Sequence, residues 1–251
     1  MLLDRYVTLG IEGRPLATPD PLPSAVLPAD DISWDEGEMA VNEPLYVSSP
    51  TTVRAGAFAR TCQATHLLGR LLHLLNEQGQ ESPLRFSEAA QLHRTLEALA
   101  KLLPDEVQRA PERFSTPIAL CYGAIIHLCD PFCCTAHNKG DHTVEETQMQ
   151  EIAIAGMKRT ASEIFELSGL QRSIMNDNIS AISPLTLDAL YMAATTYAWL
   201  VHETGSHDYA TSYHSIREVL RTMDQRWAAA GEYLKALDIT KMSLYQDDAN
   251  L

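Results

Sequence analysis

The sequence carries little positive charge for its length. Its 251 residues include 19 lysine and arginine residues against 33 aspartate and glutamate residues, so the net charge is -14. Because a field of this sign repels the phosphates of DNA and RNA, we expect no direct binding to nucleic acid. The sequence also lacks a lysine- or arginine-rich stripe that would offset the repulsion locally.

The common catalytic motifs are missing as well. There is no phosphate-binding glycine loop, no dinucleotide fingerprint, no paired-histidine zinc-protease motif and no Gly-x-Ser-x-Gly elbow. Ser206, His207 and Asp208 are the residue types of a hydrolase triad, but adjacent side chains cannot reach one another in the required order. We interpret them as a polar turn between two helices. The residues alone therefore name no reaction.

Cysteine is scarce, and its five residues are an odd number in a chain with an ample apolar core. This favours reduced thiols over a disulfide framework. We find no apolar run long and unbroken enough to span a bilayer, and the N-terminus lacks the basic start and small-residue cleavage site of a signal peptide. The sequence therefore predicts an intracellular protein without a membrane partner.

What the sequence does contain is a set of helical patterns. Segment 117–134 is apolar on nearly every side and carries no charge before Asp130, so other helices must cover it. Segment 185–203 is a second helix of this kind, with Ser183-Pro184 as its start signal. Because no convincing strand pattern is present, we predict an all-α fold. We expect one helical domain over 1–251, an irregular multi-helix globule built around these two buried helices.

Other segments have the amphipathic spacing of partly exposed helices. Met1 to Leu9 has the pattern of the last turns of a helix, so the chain begins inside an element, and Gly10 and Gly13 end it. Residues 105–116 are polar and proline-punctuated, which predicts a loop. The remaining predicted helices are 53–76, one from Ser87 to Pro104, one opened by a Thr143–Glu146 capping box and closed at Ser168-Gly169, and one over 209–237.

Residues 14–50 form the least helical part of the sequence. They contain seven of the thirteen prolines and seven acidic residues against a single arginine, Arg14. Proline removes backbone donors and interrupts helices, so we predict a long extended loop. Its apolar residues, including Ile32 and Trp34, are too many for a free linker. We therefore expect the loop to pack on the helices and to be anchored by Trp34.

Soft metal ligands gather around the end of segment 117–134. They are Cys129, Cys133, Cys134, His137 and His142. Structural zinc sites take paired ligands, two to four residues apart, from two distinct segments, whereas here adjacent cysteines follow a proline. We favour buried or half-buried thiols, and we expect no metal and no cofactor.

His127 and Asp130 lie three residues apart on the central apolar helix, where a carboxylate could orient an imidazole as a general base. A hydrogen-bonded core histidine is the commoner outcome. In a third alternative, His127 lines a ligand cavity between the two apolar helices together with Tyr122, Tyr191 and Tyr197. The residues themselves leave these alternatives open.

Four stretches together resemble the C-terminal part of the middle homology (regulatory) domain of fungal Zn2Cys6 transcription factors. Their order and spacing carry the resemblance, and they span almost the whole chain. The stretches are Leu3-Asp-Arg-Tyr6 with Gly13-Arg-Pro15 and Leu27-Pro-Ala-Asp-Asp-Ile-Ser-Trp34; Tyr122 through Leu128-Cys-Asp-Pro-Phe-Cys-Cys134; Ser183-Pro184 through Leu190-Tyr-Met-Ala-Ala194; and Arg226-Trp-Ala-Ala-Ala-Gly-Glu-Tyr-Leu234.

The resemblance implies an all-helical domain that, in full-length family members, follows a DNA-binding zinc cluster, regulates it and resides in the nucleus. This chain lacks that cluster. The cluster needs six closely spaced cysteines near the N-terminus, whereas this chain has five and none before Cys62. No DNA-contacting residue can therefore be assigned from the family.

Two functional hypotheses follow. In the first, the chain is a regulatory or ligand-sensing module that acts through a protein partner or a small hydrophobic ligand, in the nucleus as the resemblance implies. In the second, a truncated regulator-like protein, in the cytoplasm, binds a small hydrophobic metabolite and guides its cyclisation or isomerisation in secondary metabolism. Such chemistry depends on cavity shape and one acid or base, so missing motifs do not exclude it.

Overall fold

The structure is a computed structural model that describes residues 1–11, 13–28, 31–39, 45–47, 55–76, 83–133 and 143–247. These residues form helices and turns, with one isolated antiparallel bridge recorded between Val26 and Tyr46. The predicted all-α class is confirmed. The helices are α1 (Leu2–Thr8), α2 (Asp31–Glu36), α3 (Ala57–Asn76), α4 (Pro83–Ala100), α5 (Pro104–Arg109), α6 (Pro111–Cys133), α7 (Val144–Asp177), α8 (Leu187–Thr204), α9 (His207–Asp224) and α10 (Ala228–Asp247).

Helix α6 lies at the centre of the globule, as its apolar sequence predicts. Every residue from Pro117 to Ile126 is buried, and α3, α4, α5, α7 and α8 all pack against α6. The helix begins at Pro111, six residues before the predicted start. Pro117 is accommodated inside it because the fixed φ of proline is compatible with a helix, although the ring removes one backbone hydrogen bond. Pro131 does not end α6, which continues to Cys133.

Among the described helices, α6 is also long and apolar enough to cross a membrane. On length and composition alone, the prediction that no segment could span a bilayer is therefore wrong. In this structure 67% of that apolar stretch is already buried against neighbouring helices. Such burial is typical of the core helix of a helical globule.

Helix α7 begins where the sequence predicts and ends later. The Thr143 hydroxyl accepts the Glu146 amide at 3.2 Å, and the Glu146 carboxylate accepts the Thr143 amide at 3.1 Å, which completes the capping box. The predicted end at Ser168-Gly169 is wrong, because the helix continues to Asp177. A glycine ends a helix when it adopts the left-handed conformation, and Gly169 does not have a positive φ.

Two other boundaries also differ from the prediction. The predicted loop 105–116 contains α5 and the start of α6, each beginning at a proline in its first turn. The predicted helix 209–237 is two helices, α9 and α10, separated by a turn at Gln225–Trp227. The amides of Gln225 and Arg226 bond back to carbonyls three residues earlier, and the Trp227 indole donates to the Ile182 carbonyl at 3.3 Å.

The N-terminal segment is held to α3 by polar contacts. The guanidinium of Arg5 is fully buried and pairs with Asp4 and Asp20, while the Asp20 carboxylate also bonds His73 of α3 at 2.9 Å. Hydrogen bonds from the Thr18 side chain and the Ala17 amide lower the pKa of Asp4 to about 2. These contacts fix the path of the chain after α1.

Two predictions about residues 14–50 are corrected. The segment contains a helix, α2, and Trp34 within that helix is 86% exposed, so the indole does not anchor the segment. Asp31 anchors it instead by accepting the Phe58 amide at the start of α3, and Asp35 pairs with Arg113 of α6 at 2.8 Å. Leu27 supplies the buried apolar contact.

Candidate functional site

A glycine on α6 brings the first turn of α8 close to the central helix. A Cβ atom on Gly123 would lie 3.0 Å from the Asp188 Oδ2 atom and 3.6 Å from the Ala189 Cα atom. A side chain here would contact the α8 backbone and press on the Asp188 carboxylate, so glycine gives this carboxylate more room. The close approach places the Asp188 carboxylate of α8 beside the C-terminal half of α6.

The imidazole of His127 pairs with this carboxylate. The His127 Nε2 atom lies 3.1 Å from each carboxylate oxygen of Asp188, and the two side chains are only 14% and 10% exposed. Burial disfavours the charged imidazole, but the attraction of Asp188 and its hydrogen bond outweigh this effect, so the pKa of His127 is raised. The pair therefore stabilises the protonated form of the imidazole relative to its neutral form.

Asp188, rather than Asp130, is the carboxylate that binds His127. The alternative in which Asp130 orients the imidazole differs from the arrangement observed, because His127 Nε2 bonds Asp188 and the Asp130 side chain lies exposed near the end of α6. Its negative charge still favours the charged form of His127, but less than that of Asp188. Spacing along one helix shows which residues share a face and does not show what the facing helix contributes.

Two tyrosines from the ends of the chain extend the pair. The Tyr6 hydroxyl on α1 donates to the Pro184 carbonyl at 3.1 Å and accepts the Asp188 amide at 3.3 Å. Tyr6 is hydrogen-bonded to Tyr233 of α10, and the Tyr233 ring lies 5.0 Å from the Tyr191 ring. Burial raises the pKa of Tyr6, and burial and the Asp188 charge raise the pKa of Tyr233 to about 12, so both stay neutral phenols.

We call Tyr6, His127, Asp188, Tyr191 and Tyr233 the polar cluster. It joins α1, α6, α8 and α10, and it offers an imidazole, a carboxylate and phenol hydroxyls within an otherwise apolar region. Groups of this kind can bind the polar end of a hydrophobic molecule, and the imidazole can exchange a proton near neutral pH.

The structure separates the four residues that were predicted to line one cavity. His127 and Tyr191 both belong to the polar cluster. Tyr122 instead faces α7, where its hydroxyl donates to the Glu163 carboxylate at 3.4 Å. Tyr197 faces α9, where its ring lies 6.0 Å from that of Tyr209. Tyr122 and Tyr197 therefore do not converge with His127 on a single site.

The inference from residue spacing missed Tyr6, Asp188 and Tyr233. A signal was present, because each of the four stretches that resemble the fungal regulatory domain supplies at least one member of the polar cluster. Tyr6 comes from the first stretch, His127 from the second, Asp188 and Tyr191 from the third, and Tyr233 from the fourth.

A second group of buried polar residues lies where α4, α6 and α7 meet. A Cβ atom on Gly156 would lie 2.8 Å from the His93 Nε2 atom and 3.1 Å from the Cys129 Sγ atom. Burial and the nearby cations, Arg159 foremost, lower the pKa of His93 to about 4, and burial raises the pKa of Cys129 to about 12. His93 is therefore a neutral core histidine and Cys129 a thiol rather than a nucleophilic thiolate.

The five possible soft ligands are only partly described. Cys129 is buried and Cys133 is half-buried, whereas Cys134, His137 and His142 lie outside the described residues. In the part of the chain that the structure describes, no three His, Cys, Asp or Glu side chains are grouped closely enough to hold a metal ion. The expectation about zinc stays a prediction. Ser206 precedes α9, and His207 and Asp208 are exposed in its first turn, as expected for a polar helix junction.

The chain matches no protein-family model, no curated protein and no solved structure.

Proposed function

We propose that this chain is a regulatory or ligand-sensing helical module without DNA binding of its own, and that its ligand contacts the polar cluster. The observation that carries the proposal is the His127–Asp188 pair, held between α6 and α8 and bonded through Tyr6 to both ends of the chain. The resemblance of four stretches to a fungal regulatory domain supports the same function. So does the net charge of -14, which disfavours contact with nucleic acid.

The cluster is suited to report ligand binding because it joins helices that are distant in sequence. Tyr6 lies 182 residues from Asp188, and one hydroxyl bonds both the Asp188 amide and the Pro184 carbonyl. A ligand that competes for the His127–Asp188 pair would change how α1 and α10 are held. Binding energy can shift such an arrangement only by the difference in affinity for its two states.

Thermal denaturation in the presence of fractionated small-molecule extracts tests this proposal. A ligand that binds the folded chain at a hundredfold excess over its Kd stabilises it by about 2.7 kcal/mol. We expect one or more fractions to raise the Tm of the wild type but not that of His127→Gln, which keeps a donor for Asp188. The control His202→Gln, on the same helix α8, should respond like the wild type. Equal shifts in all three proteins, or none, would reject the proposal.

A second function is favoured by one feature of the same site. An imidazole whose protonated form is stabilised by a carboxylate is suited to act as a general acid, so the cluster could guide cyclisation or isomerisation of a hydrophobic metabolite. In that case, cells without the gene should accumulate a precursor isomeric with the missing product. Wild-type chain should restore the product and His127→Gln should not. An unchanged metabolite profile would exclude this second function.

A further inference from the structure

The Thr18 hydroxyl lies at the junction between α1 and the segment that follows it. It donates a hydrogen bond to the Asp4 carboxylate at 2.7 Å and accepts one from the Arg5 guanidinium. The Thr18 and Ala17 amides donate to the same carboxylate, each at 3.0 Å. Among the causes that lower the pKa of Asp4 to about 2, the hydrogen bond from the Thr18 side chain is the largest. This hydroxyl therefore contacts both charges that hold the segment to α1.

The positive charge of Arg5 is already shared between two carboxylates. Its side chain is fully buried and pairs with Asp4 at 2.9 Å and with Asp20 at 2.8 Å. Asp20 in turn pairs with His73 of α3 at 2.9 Å. A further negative charge at Thr18 would therefore face two carboxylates and one guanidinium. Because the Arg5 side chain is removed from water, solvent would screen this repulsion poorly.

The backbone around Thr18 is held mainly by side chains. Residues 15–21 lie wholly within the described part of the chain, and they make no hydrogen bond between backbone groups. Three of these seven residues are prolines, which have no amide to donate. Thr18 is half-buried, and its neighbours Ala17 and Pro19 are exposed. Local opening of this segment therefore breaks side-chain contacts and leaves the helices intact.

Thr18 is followed by proline, which is the acceptor sequence of proline-directed protein kinases. These kinases bind the acceptor residue in an extended peptide. Of the other Ser/Thr-Pro pairs, Thr116 lies inside α6, and the Ser183 hydroxyl caps a helical turn by accepting the Leu185 amide at 3.2 Å. Ser49 and Ser82 lie outside the described residues. Among the described pairs, Thr18 is the one in a non-helical segment with exposed neighbours.

We propose that Thr18 is a phosphorylation site for a proline-directed kinase, and that the phosphate detaches α1 from the rest of the globule. The reaction forms a bond between Thr18 Oγ1 and the γ-phosphorus of ATP and breaks the bond from that phosphorus to the leaving oxygen of ADP. The hydroxyl proton passes to the catalytic aspartate of the kinase.

The phosphate acts on α1 through Asp4. The Asp4 carboxylate loses the hydroxyl donor and gains a neighbour with nearly two negative charges, which repels it. If Arg5 turned to the phosphate, Asp4 and Asp20 would lose their shared cation. Because Tyr6 lies on the same helix, its hydroxyl would leave the Asp188 amide and the Pro184 carbonyl. Phosphorylation would thus act on the polar cluster, and this inference requires no ligand there.

Phosphorylation of the purified full chain tests the site. After incubation with a purified proline-directed kinase and ATP, peptide mass spectrometry should find phosphate on Thr18. The variant Pro19→Ala keeps the hydroxyl and removes the proline that the kinase recognises. It should lower the phosphate at Thr18 by about tenfold or more. A Thr18 that acquires no phosphate, or that is phosphorylated equally in Pro19→Ala, would overturn the proposal.

Hydrogen exchange measures the effect on α1. Phosphothreonine is incorporated genetically at position 18 and, as the matched control, at position 211, an exposed threonine of α9. With phosphate at position 18, the amides of α1 should exchange about tenfold faster or more, while those of α6 stay protected. With phosphate at position 211, both helices should exchange at the unmodified rate.

The variant Thr18→Ala separates the added charge from the lost hydrogen bond. It removes the hydroxyl without adding charge, so it should accelerate exchange in α1 less than the phosphate does. The proposal is contradicted if phosphate at position 18 leaves α1 exchange unchanged or slows it. It is also contradicted if Thr18→Ala has the full effect, or if the acceleration extends to α6.

Discussion

The His127–Asp188 pair couples protonation to folding. The Asp188 amide donates to the Tyr6 hydroxyl, which helps to fix the backbone of Asp188, while both carboxylate oxygens face the imidazole. The imidazole in turn is mostly removed from water. A histidine bound in this way gains most from its partner when it is charged.

The first prediction concerns the pH dependence of stability. Because the pKa of His127 is raised in the folded protein, its contribution to stability is complete below the unfolded pKa of about 6.5. The contribution is lost as the pH rises through the higher folded pKa. Urea unfolding should therefore show that His127→Gln destabilises the protein by roughly 1–3 kcal/mol at pH 5.5 and by less at pH 8.5. If the difference in unfolding free energy between the wild type and His127→Gln grew with pH, the folded protein would hold His127 in its neutral form.

His127 could be identified from the sequence as a polar residue on an apolar helix, but its partner could not. Asp130 was the nearest carboxylate along the helix, and the choice between Asp130 and Asp188 depends on how α8 crosses α6. At that crossing Gly123 lies against the first turn of α8, and its missing side chain leaves room for the Asp188 carboxylate. Tyr122 was misplaced for the same reason, because its neighbour is on α7 rather than α8.

Helix α7 contains two glycines, Gly156 and Gly169, and the effect of replacing each depends on different physical terms. Packing decides it at Gly156, and helix propensity decides it at Gly169. Gly156 faces His93 and Cys129 at the contact with α4 and α6, whereas a Cβ atom on Gly169 would meet nothing within 4 Å. Both residues lie inside one continuous helix. The same substitution should therefore have opposite effects at the two positions.

The second prediction compares Gly156→Ala with Gly169→Ala. At Gly156 the new methyl group would lie 2.8 Å from a buried ring nitrogen, so we expect a loss of about 1–3 kcal/mol through overpacking. At Gly169 alanine should stabilise the helix by about 0.5–1 kcal/mol. Chemical denaturation of both variants measures these changes. A destabilised Gly169→Ala would indicate that the helix ends there, as the sequence pattern suggested.

The third prediction tests the central position of α6. Ala124 is 1% exposed, and Ala124→Asp would place a charge without water or a partner in the core. We expect this variant to be unfolded by circular dichroism and calorimetry. Ala98→Asp, on the exposed face of α4, should keep a Tm close to that of the wild type. If Ala124→Asp melted like the wild type, α6 could not be the core helix.

The presence of a helix was easier to predict from the sequence than the residues at which it begins and ends. The apolar run of α6, the capping box of α7 and the left-handed Gly205 after α8 are local signals, and each element is present in the structure. The break between α9 and α10 is different, because Trp227 bonds the Ile182 carbonyl 45 residues away. Helix α2 was not predicted, because the many prolines and acidic residues of segment 14–50 indicated a loop. The helix stop signal at Gly37 was given less weight.

The charge of the chain sets its long-range behaviour. Acidic residues exceed basic ones by fourteen, and the basic side chains are partly consumed in pairs such as Arg5–Asp20 and Arg113–Asp35. Affinity for a phosphate backbone grows with the number of phosphates that cationic side chains neutralise. A protein with this excess of acidic residues has few cationic side chains available to neutralise phosphates.

The fourth prediction is that the purified chain does not bind duplex DNA at physiological salt. Fluorescence anisotropy with a labelled duplex measures this directly, and the reversal Glu36→Lys with Glu38→Lys is a useful comparison because it adds positive charge at one exposed site. Neither protein should produce a salt-sensitive rise in anisotropy at micromolar concentration. Micromolar binding by the wild type would contradict the account of its charge.

Native mass spectrometry of the purified full chain tests the central proposal, a small molecule held at the polar cluster. Spectra should be recorded for the wild type, His127→Gln and His202→Gln, each produced in the same cells. We predict an adduct of small-molecule mass on the wild type and on His202→Gln, and its loss or strong reduction on His127→Gln. A wild-type chain that carries no small molecule, or an adduct that His127→Gln retains in full, would contradict the proposal.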